Sequence, residues 1–121
     1  MAVILIVEDE VITREAAEMI FQSWGHQTFS AGNVEDAVSL LRSNQPIDAL
    51  FTDIDLKAEV LGGYEIAYQA IKLRPKLCVI YTTGKSITGD MKALLVEGTH
   101  FLCKPYTSQQ LKNSVEDLLA A

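Results

Sequence analysis

Apolar residues in this chain fall into runs of two periods. Val3 to Val7 is a continuous aliphatic stretch that stops at Glu8-Asp9-Glu10. Ala49-Leu50-Phe51-Thr52 stops as abruptly at Asp53, and Leu77 to Tyr81 stops at Thr82-Thr83-Gly84. Short apolar runs bounded by turn signals read as strands buried on both faces. Gln27 to Ala31 and Phe101 to Cys103 are shorter or more mixed and read as edge strands.

The segments between them carry the helical period. Ile12, Ala16, Met19, Ile20 and Trp24 mark the inward face of a first helix, closed by Gly25. Val34, Ala37, Leu40 and Leu41 mark a second, opened by an Asn33 cap and ended before Pro46. Ile66, Ala67, Ala70 and Ile71 mark a third, after Gly62-Gly63. A shorter helix is predicted from about Thr88 to Glu97, with Met91, Leu94 and Leu95 inward. Thr107 to Gln110 has the form of a capping box, and the last helix carries Leu111, Val115, Leu118 and Leu119 inward.

Strands alternating with helices predict an α/β fold, a parallel sheet covered on both faces. The first, third and fourth strands are the most continuously apolar and belong at the centre. A doubly wound five-stranded order 2-1-3-4-5 satisfies that, with its switch point between the first and third strands. No repeat, low-complexity segment or linker interrupts residues 1–121, so a single domain with no room for an output domain is expected.

At 121 residues the chain is long enough for a real core, and 49% hydrophobic with 21% charged residues is ordinary for a globular domain. A formal net charge of −6 disfavours nucleic acid as a partner, because phosphate contacts need a basic face. No apolar run approaches a membrane span, and Met1-Ala2 leads straight into a strand with nothing resembling a signal peptide, so a cytoplasmic location is expected. Cys78 and Cys103 lie in apolar stretches without metal-ligand spacing and read as buried thiols of a reduced compartment.

Parallel strands bring their carboxyl ends to one edge. Glu8 and Asp9 follow the first strand, Asp53 ends the third, Thr83 follows the fourth and Lys104 follows the fifth. Three carboxylates, a hydroxyl and an ammonium should gather there. Closely packed like charges need a compensating cation, and oxygen ligands suit a hard ion such as Mg²⁺. A divalent ion and a lysine around a carboxylate nucleophile are the apparatus of phosphoryl transfer. Each residue alone is weak: an Asp after a strand is often a helix cap, and a strand-end Lys is usually solvated surface. The set is harder to dismiss. His26 follows a capping glycine and His100 precedes the fifth strand, so both are expected away from this edge.

The set Val7-Glu8-Asp9-Glu10, Asp53, Thr83-Gly84 and Lys104-Pro105 resembles the receiver domain of bacterial two-component response regulators, the CheY-like superfamily, over essentially the whole chain. The resemblance implies a flavodoxin-like (βα)5 fold and a stand-alone signalling domain rather than an enzyme. It implies that Asp53 accepts a phosphoryl group from a histidine kinase or histidine phosphotransfer protein. Mg²⁺ would be held by Asp9, Asp53 and the Asp55 backbone carbonyl, with Glu8 acting through water. Thr83 and Lys104 would hold the phosphoryl group, and Phe101 would be the switch aromatic. The implied readout, to a downstream protein, uses the predicted fourth helix, fifth strand and last helix, roughly Thr88 to Leu119, in a monomer or weak dimer.

Two features depart from the family pattern. Lys57 stands where a proline is usual, and the Ile54 to Gly62 loop is longer than common. Asp55 and Lys85 are placed to pair across the site entrance and tune the phosphoryl lifetime. Three other readings stay open. Asp53-Ile54-Asp55 resembles the start of haloacid-dehalogenase-type phosphatases, although there the nucleophile follows the first strand. A flavodoxin-like electron carrier would need a phosphate loop where Glu8-Asp9-Glu10 stands. A receiver that never takes phosphate would be a pure binding module.

Overall fold

A computed structural model describes residues 2–54, 62–83, 100–103 and 106–120, with residues 101, 103, 118 and 120 described by backbone alone. The elements run β1 (Val3–Val7), α1 (Val11–Ser23), β2 (Gln27–Ala31), α2 (Val34–Arg42), β3 (Ala49–Asp53), α3 (Gly62–Leu73), β4 (Cys78–Thr83), β5 (His100–Cys103) and α4 (Ser108–Ala120). The helix predicted over residues 88–97 lies outside the described residues.

Every strand pair is parallel, and the order is β2-β1-β3-β4-β5. The expected order and its edge strands are therefore found. Side chains alternate across the strands, and the sheet divides two cores. Leu5, Val7, Leu50, Val79 and Tyr81 meet Ala37 and Leu41 of α2 and Ile66, Ala67 and Ala70 of α3. Ile4, Ile6, Phe51 and Ile80 meet Ala17 and Phe21 of α1 and Leu111 and Val115 of α4. All five residues of β3 are buried, as a strand covered on both faces requires.

The predicted helix signals operate. Asn33 Oδ1 accepts the Asp36 N–H at 2.8 Å. Gly25 takes φ 86°, a left-handed turn that glycine enters without Cβ strain. Thr107 Oγ1 accepts the Gln110 N–H at 3.0 Å, and Gln110 Oε1 accepts the Thr107 N–H at 2.8 Å, a complete capping box. The inward face of α1 differs from expectation. Ile12 and Met19 are 78% and 70% exposed and Ala16 is exposed, whereas Ala17 and Phe21 are buried, with Ile20 and Trp24 partly buried against them. The contact stripe is rotated by about one residue, roughly 100°. Apolar residues lie all round α1, so periodicity did not choose the face. Phe21 did, stacking edge-on at 5.3 Å against Phe51 of the central strand.

His26 and His100 both sit at the amino edge of the sheet. His100 pairs with Ile80 at the start of β5. His26 Nδ1 accepts the Ala2 N–H at 3.0 Å, and its ring lies edge-on to Phe21. Cys78 is half-buried, more open than a core thiol. Burial and, second, the Asp48 carboxylate raise its pKa above the ordinary value, keeping the thiol protonated.

Burial, with the positive amino terminus second, holds His26 below the usual 6.5. The fold thus disfavours the imidazolium. The contribution is complete above the unfolded value and is lost as pH falls below it. Urea midpoints should drop between about pH 7.5 and about pH 5.5, and drop less in His26→Gln. Equal slopes would remove His26 as the cause.

Candidate functional site

The carboxyl edge is built by register. Val7 pairs with Thr52, Asp53 with Thr82, and Thr83 with Cys103, so β1, β3, β4 and β5 end side by side. Glu8 continues the edge, its N–H donating to the Ala31 carbonyl at 3.1 Å. The Ile54 N–H donates to the Thr82 carbonyl at 2.9 Å, which carries the sheet pairing one residue past Asp53.

Carboxylate oxygens of Glu8, Asp9 and Asp53 lie within 4.8 Å of one another. Glu8 and Asp53 are 6% and 8% exposed, and Asp9 is half-buried. At such a spacing each ionised pair repels by about 3–4 kcal/mol for an effective dielectric near 20. A cation among them converts mutual repulsion into shared attraction. The donor set is entirely carboxylate oxygen, which fits a hard divalent ion such as Mg²⁺ and not a soft metal. Thr83 is fully buried at the end of β4, on the same edge.

The structure thus brings together Glu8, Asp9, Asp53 and Thr83. Asp55, Lys57, Lys85 and Lys104 lie outside the described residues, as does the side chain of Phe101. The backbone of residue 101 lies in β5, opposite Tyr81.

One residue at this site carried more than its sequence signal suggested. Gly62 and Gly63, read as loop, form the first turn of α3. Gly63 is pressed against the acidic strand end, its N–H donating to the Ile54 carbonyl at 3.0 Å. A Cβ there would overlap the Asp53 carbonyl oxygen and lie 2.6 Å from the Ile54 Cα. The helix approaches the backbone that carries Asp53 only because residue 63 has no side chain. The glycine pair was visible in the sequence, but the backbone it meets was not.

A doubly wound parallel sheet with a carboxylate cluster at its switch point defines the class: a flavodoxin-like fold with an acidic site. A family model described as the response regulator receiver domain matches residues 4–116. The chain belongs to that family, the receiver domains of two-component systems, which are signalling domains rather than enzymes. It is 28% identical to the aerobic respiration control protein ArcA of Escherichia coli K12 over 97% of this chain. It spans about half the length of the curated relatives it matches, 48% of ArcA and 49% of nodulation protein W of Bradyrhizobium diazoefficiens. A response regulator receiver protein from Sinorhizobium medicae superposes with a TM-score of 0.90 at 28% identity, over 99% of this chain and 95% of that one. The receiver domain of the sensor histidine kinase PA1611 from Pseudomonas aeruginosa shares the fold, with a TM-score of 0.84 at 22% identity, over 99% of this chain and 98% of that one. That structure holds a magnesium ion in its active-site cleft. Among the described residues, no helix is long and apolar enough to cross a membrane.

Gly63→Ala should lower the unfolding free energy by about 1–3 kcal/mol, because the atoms a Cβ meets are backbone and must move. Urea denaturation measures this. An unchanged midpoint would mean that α3 does not bear on Asp53.

Proposed function

We propose that this domain accepts a phosphoryl group on Asp53 and signals by a conformational change to a partner protein. The observation that carries the reading is the Glu8–Asp9–Asp53 cluster at the carboxyl edge, with Thr83 at the end of the neighbouring strand. An Asp53 carboxylate oxygen attacks phosphorus. The bond from phosphorus to the donor breaks, and its electron pair leaves with the donor. Burial of Asp53 at a strand end limits the motion of a carboxylate that lies beside those of Glu8 and Asp9. Mg²⁺ held by Glu8, Asp9 and Asp53 would neutralise charge on the phosphoryl oxygens during transfer. The Asp55 backbone carbonyl would be a further ligand. Thr83 donates its hydroxyl proton to a phosphoryl oxygen, and Lys104 supplies the ammonium.

Phosphorylation turns a charge near −1 into one of about −1.5 to −2 and adds acceptor oxygens. The change biases the segment after Thr83 together with Phe101, which turns inward as the threonine moves. The donor is a histidine kinase or a histidine phosphotransfer protein. The output is a protein that reads the surface spanning residues 88–119, and the acting species is a monomer or weak dimer in the cytoplasm. An acidic chain of net charge −6 supports a protein rather than nucleic acid as that target. Asp55 and Lys85 act at the site entrance. Their opposite charges pair across it and impede the attacking water.

Acetyl phosphate with Mg²⁺ should give a single phosphoryl adduct by intact mass, absent in Asp53→Asn and absent in chelator. A wild-type protein that stays unmodified under saturating acetyl phosphate would make the domain a phosphorylation-independent binding module. Lys85→Ala should shorten the half-time of dephosphorylation, followed by loss of the adduct. An unchanged half-time ends the tuning role.

A further inference from the structure

The acidic loop is held from two directions at one residue. The Glu8 N–H donates to Ala31, and the Glu8 carbonyl accepts from Arg14 Nη1 at 2.9 Å. Arg14 is half-buried in the first turn of α1, and its own N–H donates to the Glu10 carbonyl at 2.9 Å. Its guanidinium therefore reaches back over the loop from which its helix starts. Room for it comes from residue 32, between β2 and α2. A Cβ on Gly32 would lie 2.9 Å from Nη1 and 3.9 Å from Cζ of Arg14.

We propose that Arg14, seated on Gly32, is a positioning residue of the acidic site. The Glu8 carbonyl and the Asp9 N–H belong to one planar peptide unit. A hydrogen bond that holds that carbonyl sets the plane from which the Asp9 side chain departs on one side and the Glu8 side chain on the other. Arg14 thus orients two of the three clustered carboxylates through the main chain, without touching the ion. Charged donors make the stronger hydrogen bonds to carbonyl oxygen, which suits a clamp at a partly exposed site. The inference rests on the reading of Glu8, Asp9 and Asp53 as a Mg²⁺ site.

Arg14 also brings a positive charge to the main chain that carries Glu8 and Asp9, and its field alone opposes a second cation. Charge and position therefore predict opposite signs. Removing the charge tightens Mg²⁺ binding, whereas removing the clamp weakens it, because the carboxylates lose their preset directions. Gly32→Ala separates the two. It keeps the arginine, and the φ of Gly32 is not in the left-handed region. What the new methyl meets is the far end of a flexible side chain, so the fold stands while the guanidinium is displaced.

The test is a MgCl2 titration of the whole chain followed by the backbone amide shifts of Asp9 and Asp53, with thermal unfolding of the metal-free protein in parallel. Wild type should saturate. Arg14→Gln should raise the Mg²⁺ Kd about tenfold. Arg14→Lys, which keeps a cationic donor, should recover part of the loss, and Gly32→Ala should shift the Kd in the same direction as Arg14→Gln. Should Arg14→Gln fail to fold, Gly32→Ala decides alone. An unchanged or lower Kd in the variants overturns the clamp, as does a reduced unfolding temperature with wild-type Mg²⁺ affinity. A wild type with no saturable shift refutes the cation site itself and the clamp with it. A wild type that binds beside unaffected variants refutes only the clamp.

Discussion

β1 and β3 lie side by side and parallel, with Val7 opposite Thr52, and so they end together. Each is five residues long, a run of about 16 Å at 3.3 Å per residue. An antiparallel pairing would leave Glu8 and Asp53 at opposite ends of that length. Parallel pairing instead brings their carboxylate oxygens, with those of Asp9, within 4.8 Å. Parallel neighbours need a crossover, and here it is α1, β2 and α2 in succession. The site is a consequence of how the first three strands are connected.

Gathering three acids at one edge works against folding, and the two cores supply the opposing force. β3 is buried along its whole length between α1 and α4 on one side and α2 and α3 on the other. Its last residue, the Asp53 carboxylate, is thereby held at the edge although it is only 8% exposed. Gly63 adds to this from the α3 side, while Arg14 holds the neighbouring Glu8 carbonyl from the α1 side. Local features that look unfavourable in isolation, a buried acid and a glycine pair opening a helix, fall at this edge, where folds concentrate their function.

The fold and the gathering of Glu8, Asp9, Asp53 and Thr83 at one edge were legible in the sequence. Apolar runs ending in acids located β1 and β3, and the Asn33, Gly25 and Thr107–Gln110 signals located helix ends, because these are short-range interactions between neighbours in sequence. Strand order followed from relative hydrophobicity, since central strands are covered twice and edge strands are not. The orientation of α1 was not legible. Its apolar residues surround the helix, and the buried face was chosen by Phe51, about thirty residues further along the chain.

By itself, then, the amino-acid pattern determined which of the described segments are strands and helices, that the sheet is parallel, and that Glu8, Asp9, Asp53 and Thr83 share an edge. Those properties depend on period, caps and chain direction, all of which are written locally. Tertiary structure alone decided which stripe of α1 faces the sheet, that Gly63 lies on the backbone of Asp53, and that Arg14 reaches the Glu8 carbonyl past Gly32. These are contacts between surfaces that meet only after the chain has closed, and their geometry depends on shapes that no single segment contains.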